Sequence, residues 1–288
     1  MAFLKGIVFL TVVIINTVFW VPILLFFSLL KFLLPISSVQ KPLSLLLVWI
    51  ADNWVWINSF SHNFLHGNKL VVSGVEGLDQ NDWYLVVSNH CAAADIPILQ
   101  HIFRHKIPFL KFFLKKELIY VPLLGLAWWA LDFPFMRRFS ADYLAKNPHM
   151  KGKDLEVTKK ACEKFKDYPI SVINFIEGTR FTKAKHAKQH SKYKHLLKPK
   201  SGGIGFVLGS MGYQITYLIQ VSIKYSPKAP SAWEYMCGKY DKVEVIVNKI
   251  KIPENLKNKN YITDAVFRKE LQAWLNELWL EEDRRLST

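Results

Sequence analysis

The sequence predicts an α/β fold in which a largely parallel sheet is flanked by helices, preceded by an N-terminal membrane-anchoring helical segment. Three observations carry that prediction. Short runs rich in β-branched and aromatic residues recur from Lys69 onward, segments with helical spacing lie among them, and a long apolar stretch precedes them all. Strands alternating with helices place a parallel sheet beneath covering helices. With 288 residues, of which 51% are hydrophobic, the chain can bury a full core and falls outside the disordered class.

The first element is GIVFLTVVIINTVFWVPILLFFSLL, bracketed by Lys5 and Lys31 and interrupted only by Asn16 and Pro22. It is long enough to cross a hydrocarbon core about 30 Å thick, and longer than a signal-peptide core, with no small-x-small cleavage site after it. LSLLLVWIADNWVWINSFSHNFL follows, mixing Leu, Trp and Phe with Asp52, Asn53 and His62. That mixture suggests an interfacial segment rather than a second span, although a re-entrant pair fits as well. Residues 1–66 are expected to form the anchor, and residues 67–288 the main domain.

Seven runs then read as strands: KLVVSG, WYLVVSN, IPFLKFF, LDFPFMRR, ISVINFIEG, ITYLIQVSIKY and VEVIVNKI. DLEVTKKACEKFKDY has helical spacing at Leu155, Cys162 and Phe165. TDAVFRKELQAWLNELWLEE should open on a Thr263 cap and line Phe267, Leu271, Trp274 and Leu278 along one face. LIYVPLLGLAWWAL is apolar on every side, as a core helix or a membrane-dipping segment would be.

Composition narrows the chemistry. A net charge of +15 calls for an anionic partner. Cys91, Cys162 and Cys237 are far apart, which supports neither a zinc site nor a disulfide framework and fits a reducing compartment.

The stretch YLVVSNHCAAADIP carries the main candidate site. An apolar strand ends at Asn89-His90, four small residues follow, and Asp95 stands five places after the histidine. Ligand sites of open α/β sheets lie beyond such strand ends. A neutral imidazole there can take a proton from an attacking hydroxyl while a carboxylate fixes its tautomer. The same spacing recurs at His149 and Asp154, in a polar stretch with no strand before it, so the pair counts only in context. Cys91 is a small filler rather than a nucleophile, because neighbouring side chains diverge.

VINFIEGTR repeats the pattern. Gly178 permits close backbone approach, Thr179 can hydrogen-bond, and Arg180 offers a bidentate fork to phosphate. Glu177 could contact an acceptor hydroxyl or hold the arginine. FPFMRR supplies Arg137 and Arg138 at a third strand end, and a parallel sheet would bring all three ends to one edge. The biased segment KAKHAKQHSKYKHLLKPK, residues 183–200, holds seven lysines and three histidines; it fits either a solvated loop or an anionic-lipid contact.

These blocks resemble those of the PlsC-like lysophospholipid (1-acyl-glycerol-3-phosphate) acyltransferases. Asn89-His90 with Asp95 is similar to the family's NHx4D block, and Phe175 through Arg180 to its FxEGTR block. LDFPFMRR and PKSGGIGFVL further resemble the YihG-type bacterial branch and its lysocardiolipin acyltransferase-like relatives. The likeness covers about residues 69–250, with Phe181 where a serine is common and no proline in ITYLIQVSI.

The resemblance implies a glycerolipid acyltransferase-like fold with catalytic His90 and Asp95, and an acceptor site drawn from Asn89, Arg137, Glu177, Gly178, Thr179 and Arg180. It implies acyl transfer from acyl-CoA or acyl-carrier protein to a lysophospholipid hydroxyl, most simply that of 1-acyl-glycerol-3-phosphate, with lysophosphatidylglycerol or lysocardiolipin as alternatives. No metal and no cofactor beyond the thioester co-substrate are expected. The expected partners are the acceptor, the donor and an anionic membrane surface, without nucleic acid. The expected location is the cytoplasmic face of a bacterial inner membrane.

Two rival readings remain. A membrane-tethered basic binding protein for lipid or nucleic acid would use the lysines but leaves His90 and Asp95 idle. A hydrolase would be favoured by a G-x-S-x-G elbow, which the chain lacks.

Overall fold

Hydrophobic parity within one strand lays out the molecule. In β2 (Tyr84–Ser88) all five residues are buried, yet Tyr84 and Val86 enter one core and Leu85 and Val87 another. Successive side chains of a strand point to opposite faces, so this strand lies at the centre of a sheet covered on both sides. The computed structural model describes residues 1–136 and 169–287.

The sheet has six strands. β1 (Leu70–Ser73), β3 (Leu110–Phe112), β6 (Ser171–Asn174), β7 (Tyr217–Ser226) and β8 (Lys242–Lys251) join β2 in the order β1-β8-β7-β2-β6-β3. All neighbouring pairs are parallel except β7 with β8. The expected strand in LDFPFMRR forms elsewhere. β5 (Phe135–Met136) pairs with β4 (Leu114–Lys115) in a separate two-stranded ribbon, so it does not end on the edge of the main sheet. Arg137, Arg138, His149, Asp154 and the segment through Cys162 lie outside the described residues.

The first face of the sheet is covered by α1 (Ala2–Leu33), α2 (Ser37–His66), α3 (Asp95–Phe103) and α4 (Leu124–Ala130). α1 and α2 are both long and apolar enough to cross a membrane. The second apolar segment is one continuous helix, about 45 Å long at 1.5 Å per residue. The two helices are held to each other through polar atoms. Asn16 donates to the Trp54 carbonyl at 2.9 Å and to Asn58 Oδ1 at 2.8 Å, and Trp54 Nε1 donates to Thr17 Oγ1 at 3.0 Å. Asn16, which interrupts the apolar run, is thus a contact between helices. Val21, Leu24, Leu47, Ile50 and Ala51 join the core beneath, while Ile15, Phe19, Phe26, Trp49, Phe60 and Phe64 stay exposed. The all-apolar stretch LIYVPLLGLAWWAL divides into a 3-10 turn and α4, which buries Gly125, Ala127 and Ala130.

The second face carries α6 (Gly202–Met211) and α8 (Ala265–Ser287). The glycines of PKSGG explain how α6 seats. A Cβ on Gly203 would meet Asn174 Nδ2 at 2.0 Å, and one on Gly205 would meet the Tyr261 ring at 2.0 Å. α8 is capped by Asp264 rather than Thr263, since Asp264 Oδ1 accepts from the Phe267 amide at 2.8 Å. Its buried face is Phe267, Leu271, Leu275, Leu278 and Trp279, and Trp274 flanks it half-buried.

The lysine run is not a solvated loop. It forms a short helix, α5 (Lys183–Gln189), whose first turn is capped by Thr182. Beyond it, Tyr193 and Leu196 are buried in the second core and Leu197 is buried beside them.

Candidate active site

Register puts the two sequence blocks side by side. Val87 of β2 stands opposite Asn174 of β6, so Asn89-His90 and Phe175 leave the same sheet edge together. The His90 and Phe175 rings stack at 4.0 Å and 14°, and the Phe181 amide donates to the His90 carbonyl at 2.7 Å. The imidazole plane is fixed by an aromatic neighbour, and the backbone beneath it by the loop carrying Gly178 and Arg180.

His90 Nδ1 lies 2.7 Å from Asp95 Oδ2. An ionised carboxylate only accepts, so Nδ1 carries the proton and the basic lone pair sits on Nε2. The His90 side chain is 15% exposed and that of Asp95 0%, which leaves the base open and its partner sealed. Asp95 opens α3, where the helix dipole favours a negative charge. Its Oδ2 also accepts from the Cys91 amide at 2.7 Å and the Ala92 amide at 3.0 Å, and its Oδ1 from the Tyr225 hydroxyl at 2.6 Å. The four small residues are therefore a turn that folds its amides back onto the carboxylate. Burial and the Asp95 charge push the Cys91 thiol well above the usual thiol range, so it stays protonated beside the imidazole.

Asn89, expected on the acceptor side, serves the sheet instead. Its Nδ2 donates to the Ile223 carbonyl at 2.9 Å and its Oδ1 accepts from the Ile223 amide at 2.8 Å. The side chain continues the β2–β7 ladder one step past Ser88, which explains its near-complete burial. The second Nδ2 hydrogen is directed at Cys91 Sγ at 3.4 Å, so both donors are engaged within the protein.

Glu177 also differs from expectation. It turns inward, fully buried, and does not touch Arg180. Neither carboxyl oxygen meets hydrogen-bond geometry; the amides of Leu197 and His90 approach only closely enough to offset part of the cost. Burial, with Asp95 nearby, pushes its pKa up to about 8, and the group is neutral at pH 7. A second buried acid, Glu282 of α8, is pushed up to about 7 by burial, partly offset by the Ser222 hydroxyl at 2.6 Å and by Arg285.

The rest of the turn faces outward. Gly178 has φ +74°, the left-handed region that favours glycine, and its amide closes the turn onto the Phe175 carbonyl at 2.8 Å. Lys185 Nζ donates to Thr179 Oγ1 at 2.7 Å and to the Arg180 carbonyl at 3.0 Å. The Arg180 side chain is exposed and enters no ion pair among the described residues. Arg180 and Lys185 thus form a cationic corner beside the histidine, of the kind that binds phosphate oxygens. On the same face of the sheet a narrow apolar cavity of about 40 Å³ lies among α1, α2 and α4, lined by Trp20, Leu24, Ile50, Trp54 and Trp128.

Sequence reasoning found His90, Asp95, Gly178 and Arg180 but missed Tyr225 and the ring of Phe175 as parts of the arrangement. Both stand at the ends of strands flanking β2, so strand order would have revealed them.

The model of the Acyltransferase family matches residues 69–216. Human 1-acyl-sn-glycerol-3-phosphate acyltransferase gamma is 25% identical over 180 residues, covering 59% of this chain and 43% of that protein. Arabidopsis thaliana 1-acyl-sn-glycerol-3-phosphate acyltransferase 3 is 27% identical over 172 residues, covering 57% and 40%. The chain thus spans about two fifths of the length of these curated relatives. Its fold is that of the 1-acyl-sn-glycerophosphate (LPA) acyltransferase PlsC from Thermotoga maritima, with a TM-score of 0.58 at 18% identity over 99% of this chain and 95% of that one.

Proposed function

The chain belongs to the Acyltransferase family, and from that premise we propose that it moves a fatty acyl group from a thioester to the free hydroxyl of a lysophospholipid, most simply 1-acyl-glycerol-3-phosphate. The observation that carries this reading is His90 held by Asp95 at 2.7 Å, with the loop that carries Arg180 bonded to the His90 carbonyl through the Phe181 amide.

The chemistry follows from that arrangement. Nε2 takes the proton of the acceptor hydroxyl as its oxygen attacks the thioester carbonyl, and the imidazolium that forms is stabilised by Asp95. The tetrahedral intermediate collapses, the C–S bond breaks, and the departing thiolate takes the proton back from Nε2. The thioester supplies the activated acyl group, so these steps use no metal or redox cofactor. Arg180, Thr179 and Lys185 hold the acceptor phosphate, with Arg137 as a further candidate.

Likeness to proteins named as 1-acyl-sn-glycerol-3-phosphate acyltransferases supports the acceptor, and the PKSGGIGFVL block supports the YihG-type branch. Two membrane-length apolar helices, with Cys91 and Cys237 free among the described residues, support a location on the cytoplasmic face of a bacterial inner membrane.

The test is an assay of the purified protein in lipid with labelled acyl-CoA or acyl-carrier protein and a panel of lysophospholipids. Wild type is compared with His90→Ala and with His149→Ala as a decoy. Acyl lipid formed by wild type and His149→Ala, but reduced about 10²- to 10⁴-fold in His90→Ala, is the expected result. Equal losses in both variants, or no product with any acceptor, would overturn the reading.

A further inference from the structure

The lysine segment is a fixed platform. Tyr193, Leu196 and Leu197 are buried against α8. The amides of Lys194 and His195 each donate to Asp283 at 2.7 Å, and Trp279 Nε1 donates to the Leu197 carbonyl at 3.1 Å. Within the segment, His186 Nε2 bonds to the Tyr193 carbonyl at 2.6 Å and Ser191 Oγ to the Leu196 carbonyl at 2.7 Å. Anchored in this way, the backbone holds Lys183, Lys188, Lys192, Lys194, Lys198 and Lys200 outward, all exposed.

None of these lysines enters an ion pair among the described residues. Some lysines elsewhere are paired, as in Lys31 with Asp132, Lys249 with Asp82 and Lys257 with Glu254. Asp283, the carboxylate nearest to the platform, is already occupied by two backbone amides. The platform therefore presents concentrated positive charge on an anchored surface, with no ion-pair partner among the described residues.

Its place in the fold decides what that partner is. The anchoring residues belong to the second core, whereas the exposed apolar faces of α1 and α2 lie over the first, with the sheet between. Layers of a fold stack about 10 Å apart, which puts roughly 20 Å between the lysine layer and the apolar helices. The Debye length is about 8 Å in physiological salt, so attraction to a bilayer gripping α1 and α2 is largely screened at that distance. The platform therefore lies on the side of the sheet away from the apolar faces of α1 and α2. It is also continuous with the candidate active site, because Lys185 bridges it to Thr179 and Arg180.

Building on the acyl-transfer reading, we propose that the 183–200 platform docks an acidic acyl-carrier protein, so that the thioester donor arrives on the sheet face opposite to the one from which the lipid acceptor enters. Six exposed lysines spread along eighteen residues suit an acidic protein surface, which is read by charge over a broad area, better than the few phosphates of a nucleotide thioester.

The experiment uses the full chain in nanodiscs, as wild type and as the triple variant Lys188→Glu, Lys192→Glu, Lys198→Glu. Both are assayed with acyl-carrier-protein and acyl-CoA donors of equal chain length, and for flotation on phosphatidylglycerol-containing vesicles. The expected result is a KM for the carrier donor raised about tenfold or more in the variant, and raised by added salt in the wild type, with acyl-CoA kinetics and flotation unchanged. Equal effects on both donors, no effect on either, or loss of flotation with an unchanged carrier KM would overturn the proposal, the last of these assigning the platform to anionic lipid. Should the wild type use neither donor, the acyl-transfer reading fails separately. Anisotropy of labelled carrier protein then decides the docking alone: binding that the variant loses sustains it, and no binding to wild type ends it.

Discussion

The Tyr225 hydroxyl donates to Asp95 Oδ1 at 2.6 Å, on the oxygen that His90 does not use. Asp95 therefore has both oxygens claimed inside a sealed site, by His90 and two amides on one side and by a phenol from a neighbouring strand on the other. A carboxylate held at both ends cannot rotate, and the imidazole it orients is held in turn. Burial and the Asp95 charge push the Tyr225 phenol well above its ordinary range, so it remains a donor at any working pH.

Tyr225→Phe removes that donor and little volume. A hydrogen bond to a charged group contributes roughly 1.5–3 kcal/mol, so the variant should unfold at correspondingly lower denaturant. Because Tyr225 acts through Asp95 and does not touch the acceptor, kcat should fall about tenfold with acceptor KM unchanged. A variant with wild-type kcat and only reduced stability would show that the two backbone amides orient Asp95 unaided.

Asn89→Ala separates a structural clamp from a substrate contact. The clamp leaves the Ile223 amide and carbonyl unpaired at a buried position, costing roughly 1–3 kcal/mol for each group. The expected outcome is a loss of about 2–5 kcal/mol in denaturant unfolding, with activity falling in step with the folded fraction. A stable Asn89→Ala protein with a raised acceptor KM would return Asn89 to the substrate.

What the sequence disclosed and what it hid follow one physical line. Strands announce themselves through local runs of apolar residues, and all seven expected runs contain one, but the placement of β5 in a separate ribbon depends on non-local pairing. His90 and Asp95 were legible because the contact is local, five residues apart across a turn. Tyr225 is 130 residues from Asp95, and Asn89 is 134 from Ile223, so both roles were set by strand order alone. α6 escaped notice because its glycines lower helix propensity, while the packing of Gly203 on Asn174 and Gly205 on Tyr261 requires them. The lysine run looked like a loop because four buried residues among eighteen barely alter its composition.

Glu177 and Glu282 make stability depend on pH. Both have folded pKa values, about 8 and about 7, raised chiefly by burial above the unfolded value of roughly 4.3. Between those limits the native state binds more protons than the unfolded one, so stability is greatest below about pH 4.3 and declines as pH rises, by about 1.4 kcal/mol per unit for each group. The decline from Glu282 ends near pH 7 and that from Glu177 near pH 8. Glu177→Gln and Glu282→Gln mimic the neutral forms, and each should flatten its part of the slope in chemical unfolding measured from pH 5 to 9. Slopes identical to wild type would mean that the carboxylates ionise in the folded protein without penalty.

Arg180 offers the most direct test of acceptor binding. Its side chain is exposed and without an ion pair among the described residues, on a turn that Gly178 permits and Lys185 braces. A bidentate guanidinium–phosphate contact should contribute roughly 1.5–3 kcal/mol, equivalent to about 10- to 100-fold in affinity. Arg180→Ala should therefore raise the KM for 1-acyl-glycerol-3-phosphate by that factor while leaving the donor KM alone. Arg180→Lys should recover only part of the loss, because an ammonium is a point charge that cannot present the fork. Acceptors whose phosphate is a diester expose less charge to the corner and should suffer less from the substitution. If Arg180→Ala lowers kcat with every acceptor and moves no KM, the guanidinium faces the reacting carbonyl rather than the phosphate, and the acceptor must be held by Lys185 and its neighbours.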